Sequence, residues 1–163
     1  MGELLYDYCM EQFLTQNSEV ILKLALAVVL GMFIGAERLF VHKEAGMKTH
    51  SLVAMGATLF IIISEFLSQK YINISGFNPG MMASNIIMGV GFLSAGLIIM
   101  QGDRLMGLTT AGGLWVTAAI GMAVGFGLYS LAIISTVLVL IIFLVMGIVE
   151  KPIRKISDEN LNK

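Results

Sequence analysis

Charged and hydroxyl residues gather at a few points between long apolar stretches of this sequence. Glu37 and Arg38 follow one such stretch, and Lys48, Thr49 and His50 precede the next. Carboxylates, cations and a titratable imidazole near the edge of apolar segments are suited to ion pairing, pH sensing or ion binding. Three more polar residues occupy equivalent positions further along the chain: Asp103, Thr109 and Thr110. If one membrane edge brings them together, they form a polar cluster.

Other site chemistries find little support. Glu37, Glu44 and Asp103 offer the hard oxygen ligands that magnesium prefers, but no fixed spacing ties them together, so we predict no metal site. The sequence has no nucleophile–base signature, phosphate loop or zinc motif, and we expect neither an enzyme nor a cofactor. The single cysteine, Cys9, excludes an internal disulfide. A net charge of −1 gives no electrostatic case for nucleic-acid binding.

The composition is that of an integral membrane protein. The chain is 57% hydrophobic and 13% charged, against about 45–50% and about 25% for soluble domains. A chain of 163 residues cannot hide several uninterrupted apolar runs inside a water-facing shell. We therefore predict an all-α, polytopic transmembrane helical bundle.

Five apolar segments are available to cross a bilayer core that needs about 20 helical residues. The last two come from one uncharged block, 107–149, which as one helix would be about 65 Å long and must fold back. Two glycines in 125–129 favour the break there. Four spans are the alternative, if the first segment lies flat on the surface. The predicted membrane domain is 1–150, with spans at about 20–36, 51–67, 81–100, 107–125 and 128–149, followed by a short tail, 151–163.

The basic residues predict the orientation of the bundle. Of the ten Lys and Arg residues, eight fall in connections on one side of a five-span arrangement and one, Lys70, on the other. Because basic connections stay in the cytoplasm, we predict an outside N-terminus and a cytoplasmic C-terminus. The polar cluster then lies at the cytoplasmic edge.

Small residues mark the faces on which the helices are expected to pack, because backbones must approach closely where lipid supplies no hydrophobic drive. We expect spans one, three and four to form the inner bundle and span five to face lipid. These faces either build only the monomer or also join copies into a homo-oligomer. The predicted packing positions are Gly31, Gly35, Gly89, Gly91, Gly96, Gly113, Thr117, Gly121 and Gly125.

The polar residues also admit purely structural roles. Thr49 is expected to cap the second span, and Thr109 or Thr110 the fourth. Glu37 has a possible ion-pair partner in Lys48, and Asp103 has one in Arg38 or Arg104. Glu65 is expected among the lipid headgroups. Within the membrane, Asn85 is expected to make an interhelical hydrogen bond, and the remaining polar side chains are Ser94 and Trp115.

Four segments, in order and spacing, resemble the membrane domain of the MgtC/SapB family of bacterial inner-membrane proteins. They are "GMFIGAER" (31–38), "AGMKTHSLVAMGATLF" (45–60), "GVGFLSAGLI" (89–98) and "GLTTAGGLWVTAAIGMAVGFGLY" (107–129). Two positions depart from the family pattern, which usually has Arg at Lys48 and Gly at Ser94. Lys48 keeps the charge but loses the planar guanidinium fork. The C-terminal soluble domain of many relatives is not in this sequence.

The resemblance implies a protein linked to magnesium limitation, acid or other stress, and acting as a regulator of other membrane proteins. Membrane lipid and a membrane-protein partner are therefore the expected partners, bound without enzymatic chemistry through Gly-rich helix faces. The alternative is a transporter or channel for magnesium, protons or another cation, with its mouth at the polar cluster.

Overall fold

The computed structural model describes residues 17–70, 79–102 and 104–161, and the predictions on Cys9 and Asp103 lie outside them. The described chain forms five helices and one short hairpin. In chain order these are α1 (Ser18–Phe40), α2 (Met47–Lys70), α3 (Pro79–Ala95), β1 (Ile99–Gln101), β2 (Arg104–Met106), α4 (Leu108–Gly125) and α5 (Tyr129–Leu161).

The predicted all-α transmembrane bundle is confirmed. Helices α1, α2, α4 and α5 each hold a segment long and apolar enough to cross a membrane, and α3 is a shorter apolar helix. The backbone of α5 continues to Leu161, so much of the predicted tail is helical. The orientation of the bundle stays a prediction from the basic residues.

The third predicted span differs most from the structure. Helix α3 ends at Ala95, and the apolar residues that follow enter an antiparallel hairpin in which Gln101 pairs with Arg104. Gly102 turns this hairpin with a φ of 62°, a left-handed conformation that glycine adopts without steric cost. The predicted helical span at 81–100 is therefore too long at its C-terminal end, because apolar character continues past the helix.

Helices α1, α2 and α4 form the tightly packed centre, so the expectation that spans one, three and four would do so is wrong. A Cβ added to Gly31 would lie 2.6 Å from the carbonyl oxygen of His50, and one added to Gly35 would lie 2.5 Å from the Cα of Met47. The predicted pair of glycines on α1 thus packs on the start of α2. Glycine removes the Cβ that would hold these backbones apart.

The glycine stripe of α4 also packs against α2, further along that helix. A Cβ on Gly121 would overlap the carbonyl oxygen of Ala54, and one on Gly125 would lie 2.6 Å from the Cβ of Ile61. The buried Thr58 hydroxyl joins the same two helices by donating to the Gly121 carbonyl at 2.6 Å. This stripe is therefore used inside the monomer.

The turn between α4 and α5 falls at 126–128, where Gly127 has a φ of 75°. Helix α5 then runs back along the bundle. Only 17% of its apolar segment is buried inside the structure, against 61% for α4. The location of α5 at the periphery agrees with its expected contact with lipid.

Candidate functional site

Glu37 and Arg38 are buried together at the end of α1. The Arg38 Nε donates to a carboxylate oxygen of Glu37, so the two charges neutralise each other. The Arg38 guanidinium also lies over the ring of Phe143 on α5, with Cζ 3.6 Å from the ring centroid. This cation–π contact connects α1 to α5 and was not predicted, because nothing in the sequence marks Phe143 among the apolar residues around it.

His50 is fully buried near the start of α2, and its Nδ1 lies 2.8 Å from the Thr117 hydroxyl oxygen on α4. Thr117 donates its proton to the carbonyl oxygen of Gly113 at 2.8 Å. Because a hydroxyl has only one proton to donate, His50 must be the donor at Nδ1. Within the described part of the chain, His50 Nε2 has no hydrogen-bond partner. His50 and Thr117 therefore connect α2 to α4.

The other predicted members of the polar cluster are more scattered. Lys48 and Thr49 are exposed, and the ion pair of Glu37 is with Arg38, so the predicted pair with Lys48 is wrong. Helix α2 begins at Met47, before Thr49, and Gly107 is the N-cap of α4. The predicted capping roles of Thr49, Thr109 and Thr110 are therefore also wrong. Thr110 is buried and Thr109 exposed.

A second charged group connects α1 and α2 at the other end of the bundle. The buried Lys23 Nζ lies 3.1 Å from a Glu19 carboxylate oxygen and 3.9 Å from one of Glu65. Glu65, expected only among headgroups, is thus also a partner across the helix interface. Glu19 lies four residues before Lys23, a spacing typical of ion pairs within a helix. Glu65 is on a different segment, so sequence spacing alone did not indicate that contact.

A lateral groove of about 540 Å³ runs along the line where α2 packs against α3. Its walls are largely apolar and include Gly56 on α2 and Gly89 on α3, and a Cβ added to either glycine would have no atom within 4 Å. Asn85 also lines the groove and is exposed, and among the described residues its amide has no hydrogen-bond partner. The predicted interhelical hydrogen bond of Asn85 is therefore absent from the described chain.

Two further predicted packing positions, Gly91 and Gly96, pack loosely. Gly91 has open space around it, and Gly96 contacts only carbonyl oxygens of the preceding turn. The predicted packing role of the α3 glycines is thus wrong for this chain on its own. Ser94 is buried without a partner for its hydroxyl in the described regions, whereas Trp115 is about half exposed, at 47%.

The described residues hold no group of three or more His, Cys, Asp or Glu side chains placed to bind a metal ion. Four helices of the described chain, long and apolar enough to cross a membrane and packed through glycine faces, define a polytopic helical membrane protein. The MgtC family model matches residues 24–151, and the chain belongs to the MgtC family.

Similar proteins agree with this family and name magnesium in one case. The chain is 40% identical over 128 residues to "Putative magnesium transporter YhiD" of Escherichia coli strain K12, a match covering 77% of this chain and 60% of that protein. It is 42% identical over 117 residues to Protein MgtC of Brucella abortus strain 2308, covering 72% of this chain and 47% of that protein. It is 41% identical over 120 residues to Protein MgtC of Salmonella typhimurium strain LT2, covering 74% of this chain and 49% of that protein.

The matched region thus spans about half of the MgtC proteins and 60% of YhiD. No solved structure matches the chain significantly.

Proposed function

We propose that this chain is a non-enzymatic protein of the bacterial inner membrane that regulates other membrane proteins. It does so by docking a transmembrane helix of the partner in the groove between α2 and α3. The stress it serves is magnesium limitation, acid or a related condition, as the family resemblance implies. The name of the YhiD relative, a putative magnesium transporter, favours the transporter alternative.

The observation that carries this proposal is the amide of Asn85 on the groove wall. Asn85 is exposed on α3, and the other side chains that line the groove are apolar. No group in the described chain pairs with its amide. An unpaired amide facing hydrocarbon is costly, whereas a polar side chain on an incoming helix would satisfy it. The fitting occupant is therefore a transmembrane helix with a hydrogen-bonding side chain at the depth of Asn85.

Two glycines make the same groove accessible to a helix. Gly56 lines it from α2 and Gly89 lines it from α3, with open space around both. Small residues allow the backbone of a second helix to approach, which is the main source of helix association in lipid. The glycine faces of α1 and α4 are unsuited to this role, because they are covered by α2.

The packing at the centre of the bundle favours regulation over transport. Transporters usually place charged side chains or broken helices near the middle of the membrane. Here the backbones of α2 and α4 meet at Ala54 and Gly121 with no room for a Cβ, and the Arg38 charge is paired with Glu37. The wide groove lies beside this centre and has mainly apolar walls.

The test is purification of the tagged protein from cross-linked membranes, combined with growth at limiting magnesium. Gly89→Leu fills the groove and Asn85→Leu removes its polar group. We expect both variants to insert normally but to lose one co-purifying membrane protein about tenfold, a change that corresponds to about 1.4 kcal/mol. Growth at limiting magnesium should fall in parallel with that loss.

Gly91→Leu is the matched control, because Gly91 lies on α3 outside the groove lining and has open space around it. This variant should keep both the partner and growth. Retention of partner and growth by both groove variants would contradict the proposal. Flux of magnesium, potassium or protons into liposomes containing only this protein would instead support the transporter alternative.

A further inference from the structure

A cavity of about 390 Å³ opens beside the buried Glu37 and Arg38, between α1 and α5. Its walls carry charges of both signs: Arg38 and Lys43 are basic, and Glu37 and Glu150 are acidic. Arg38 and Glu37 are 4% and 8% exposed, so the cavity ends on charged side chains that the fold itself holds in place. It lies at the end of the bundle where α1 ends and α4 begins.

An apolar cavity of about 280 Å³ adjoins the charged one and lies deeper in the bundle, along the contact between α4 and α5. The two cavities share Thr109, Ile142 and Phe143, and the apolar one extends to Val116. About two turns of helix separate Thr109 from Val116, a depth of roughly 10 Å. The adjoining cavities thus offer one site with a charged mouth and an apolar floor.

We infer that this paired cavity binds one zwitterionic phospholipid with an ammonium headgroup, such as phosphatidylethanolamine. The phosphate meets Arg38, which keeps four N–H donors after Nε binds Glu37, together with Lys43. The ammonium group meets the Glu37 carboxylate. An acyl chain follows Ile142 to Gly112 and Val116 in the apolar cavity.

The balance of charge selects this headgroup over an anionic one. A purely anionic headgroup would favour the two basic side chains but would leave the Glu37 carboxylate beside a like charge, and like charges disfavour binding. A headgroup that carries both signs places its phosphate on the basic side chains and its ammonium group on Glu37. The apolar cavity in turn selects a lipid over a free phosphate or a free headgroup, since those have no chain to bury.

Native mass spectrometry of the intact protein in mild detergent tests the inference. The probes are palmitoyl-oleoyl phosphatidylethanolamine, the matching phosphatidylglycerol, and chain-free glycerophosphoethanolamine. We expect one phosphatidylethanolamine to be retained in preference to phosphatidylglycerol and no retention of the chain-free compound. Binding of the chain-free compound as tightly as the lipid would overturn the inference, as would equal retention of the two lipids.

Gly112→Leu tests the apolar cavity without disturbing a helix contact, because Gly112 lines it and has no atom near an added Cβ. Displacing roughly two methylene groups of an acyl chain should lower lipid affinity about tenfold. Gly91→Leu, on α3, should retain the lipid as the unmodified protein does. Unchanged lipid retention in Gly112→Leu would rule out this site, whatever the outcome for partner docking at Gly89.

Discussion

His50 donates from Nδ1 to the Thr117 hydroxyl oxygen across 2.8 Å, and this bond joins α2 to α4 at the point where both are fully buried. The residues lie far apart in sequence, and each belongs to a different predicted feature: His50 to the polar cluster and Thr117 to the glycine stripe. The polar cluster and the packing stripe are therefore parts of one interface. Substitutions within that interface should act on stability first.

Thr117→Val should destabilise the protein, because it removes the acceptor for His50 Nδ1 and leaves that donor buried without a partner. The expected loss is about 0.6–2 kcal/mol, the range for hydrogen bonds between membrane helices. Reversible unfolding in detergent micelles measures it. Thr136→Val is the matched control, since within the described chain the buried Thr136 hydroxyl bonds only to Ala132 on its own helix. Equal losses in the two variants would mean that the bond between α2 and α4 contributes nothing of its own.

Gly121→Ala should destabilise the protein by about 1–3 kcal/mol, the usual cost of overpacking. The added methyl group overlaps the backbone of Ala54, which cannot rotate away as a side chain does. Thermal unfolding in micelles measures the effect. Gly91→Ala adds the same group where there is open space, and we expect little or no loss from it. A neutral Gly121→Ala would contradict the close contact of α2 and α4.

Arg38 and Phe143 should be energetically coupled. Arg38→Lys keeps the charge but loses the planar guanidinium that lies on the ring, and Phe143→Leu removes the ring. We expect the double variant to lose less stability than the sum of the single variants, by about 0.5–2 kcal/mol. If the losses in this double-mutant cycle were additive, the contact between Arg38 and the Phe143 ring, 3.6 Å from Cζ to centroid, would not stabilise the fold.

The predicted orientation of the bundle can be tested by cysteine labelling in whole cells. In a chain carrying Cys9→Ser, Lys43→Cys places a thiol in the basic connection between α1 and α2, and Leu128→Cys places one in the exposed turn between α4 and α5. Because basic connections stay in the cytoplasm, an impermeant maleimide should label position 128 in intact cells. Position 43 should react only after lysis, and the reverse pattern would invert the topology.

The sequence predicted the class of fold well because membrane helices are encoded by long apolar runs. It also placed the small residues of α1 and α4 on faces that do pack closely. Which helix each face contacts was predicted incorrectly, since Gly89 and Gly91 resemble Gly31 and Gly35 in sequence but have open space around them. A small residue permits close approach without specifying the partner that uses it.

Helix ends and cross-helix contacts were the least predictable features. Apolar residues continue from α3 into the hairpin, so composition did not indicate that the helix ends at Ala95. The Gly-Asp pair at 102–103, however, is typical of a two-residue turn. The contact of Arg38 with Phe143 depends on how α5 returns along the bundle. No local pattern around Phe143 encodes that path.

The central claim, that the groove between α2 and α3 receives a partner helix, is tested most directly by site-specific photocross-linking in living cells. A benzophenone residue replaces Leu93, which lines the groove, or Ile134, which is exposed on α5. We expect a protein adduct from position 93 that contains another membrane protein and is lost when Asn85→Leu is added, with no such adduct from position 134. An adduct of two copies of this chain would identify a homo-oligomer interface instead, and adducts with lipid alone from both positions would contradict the claim.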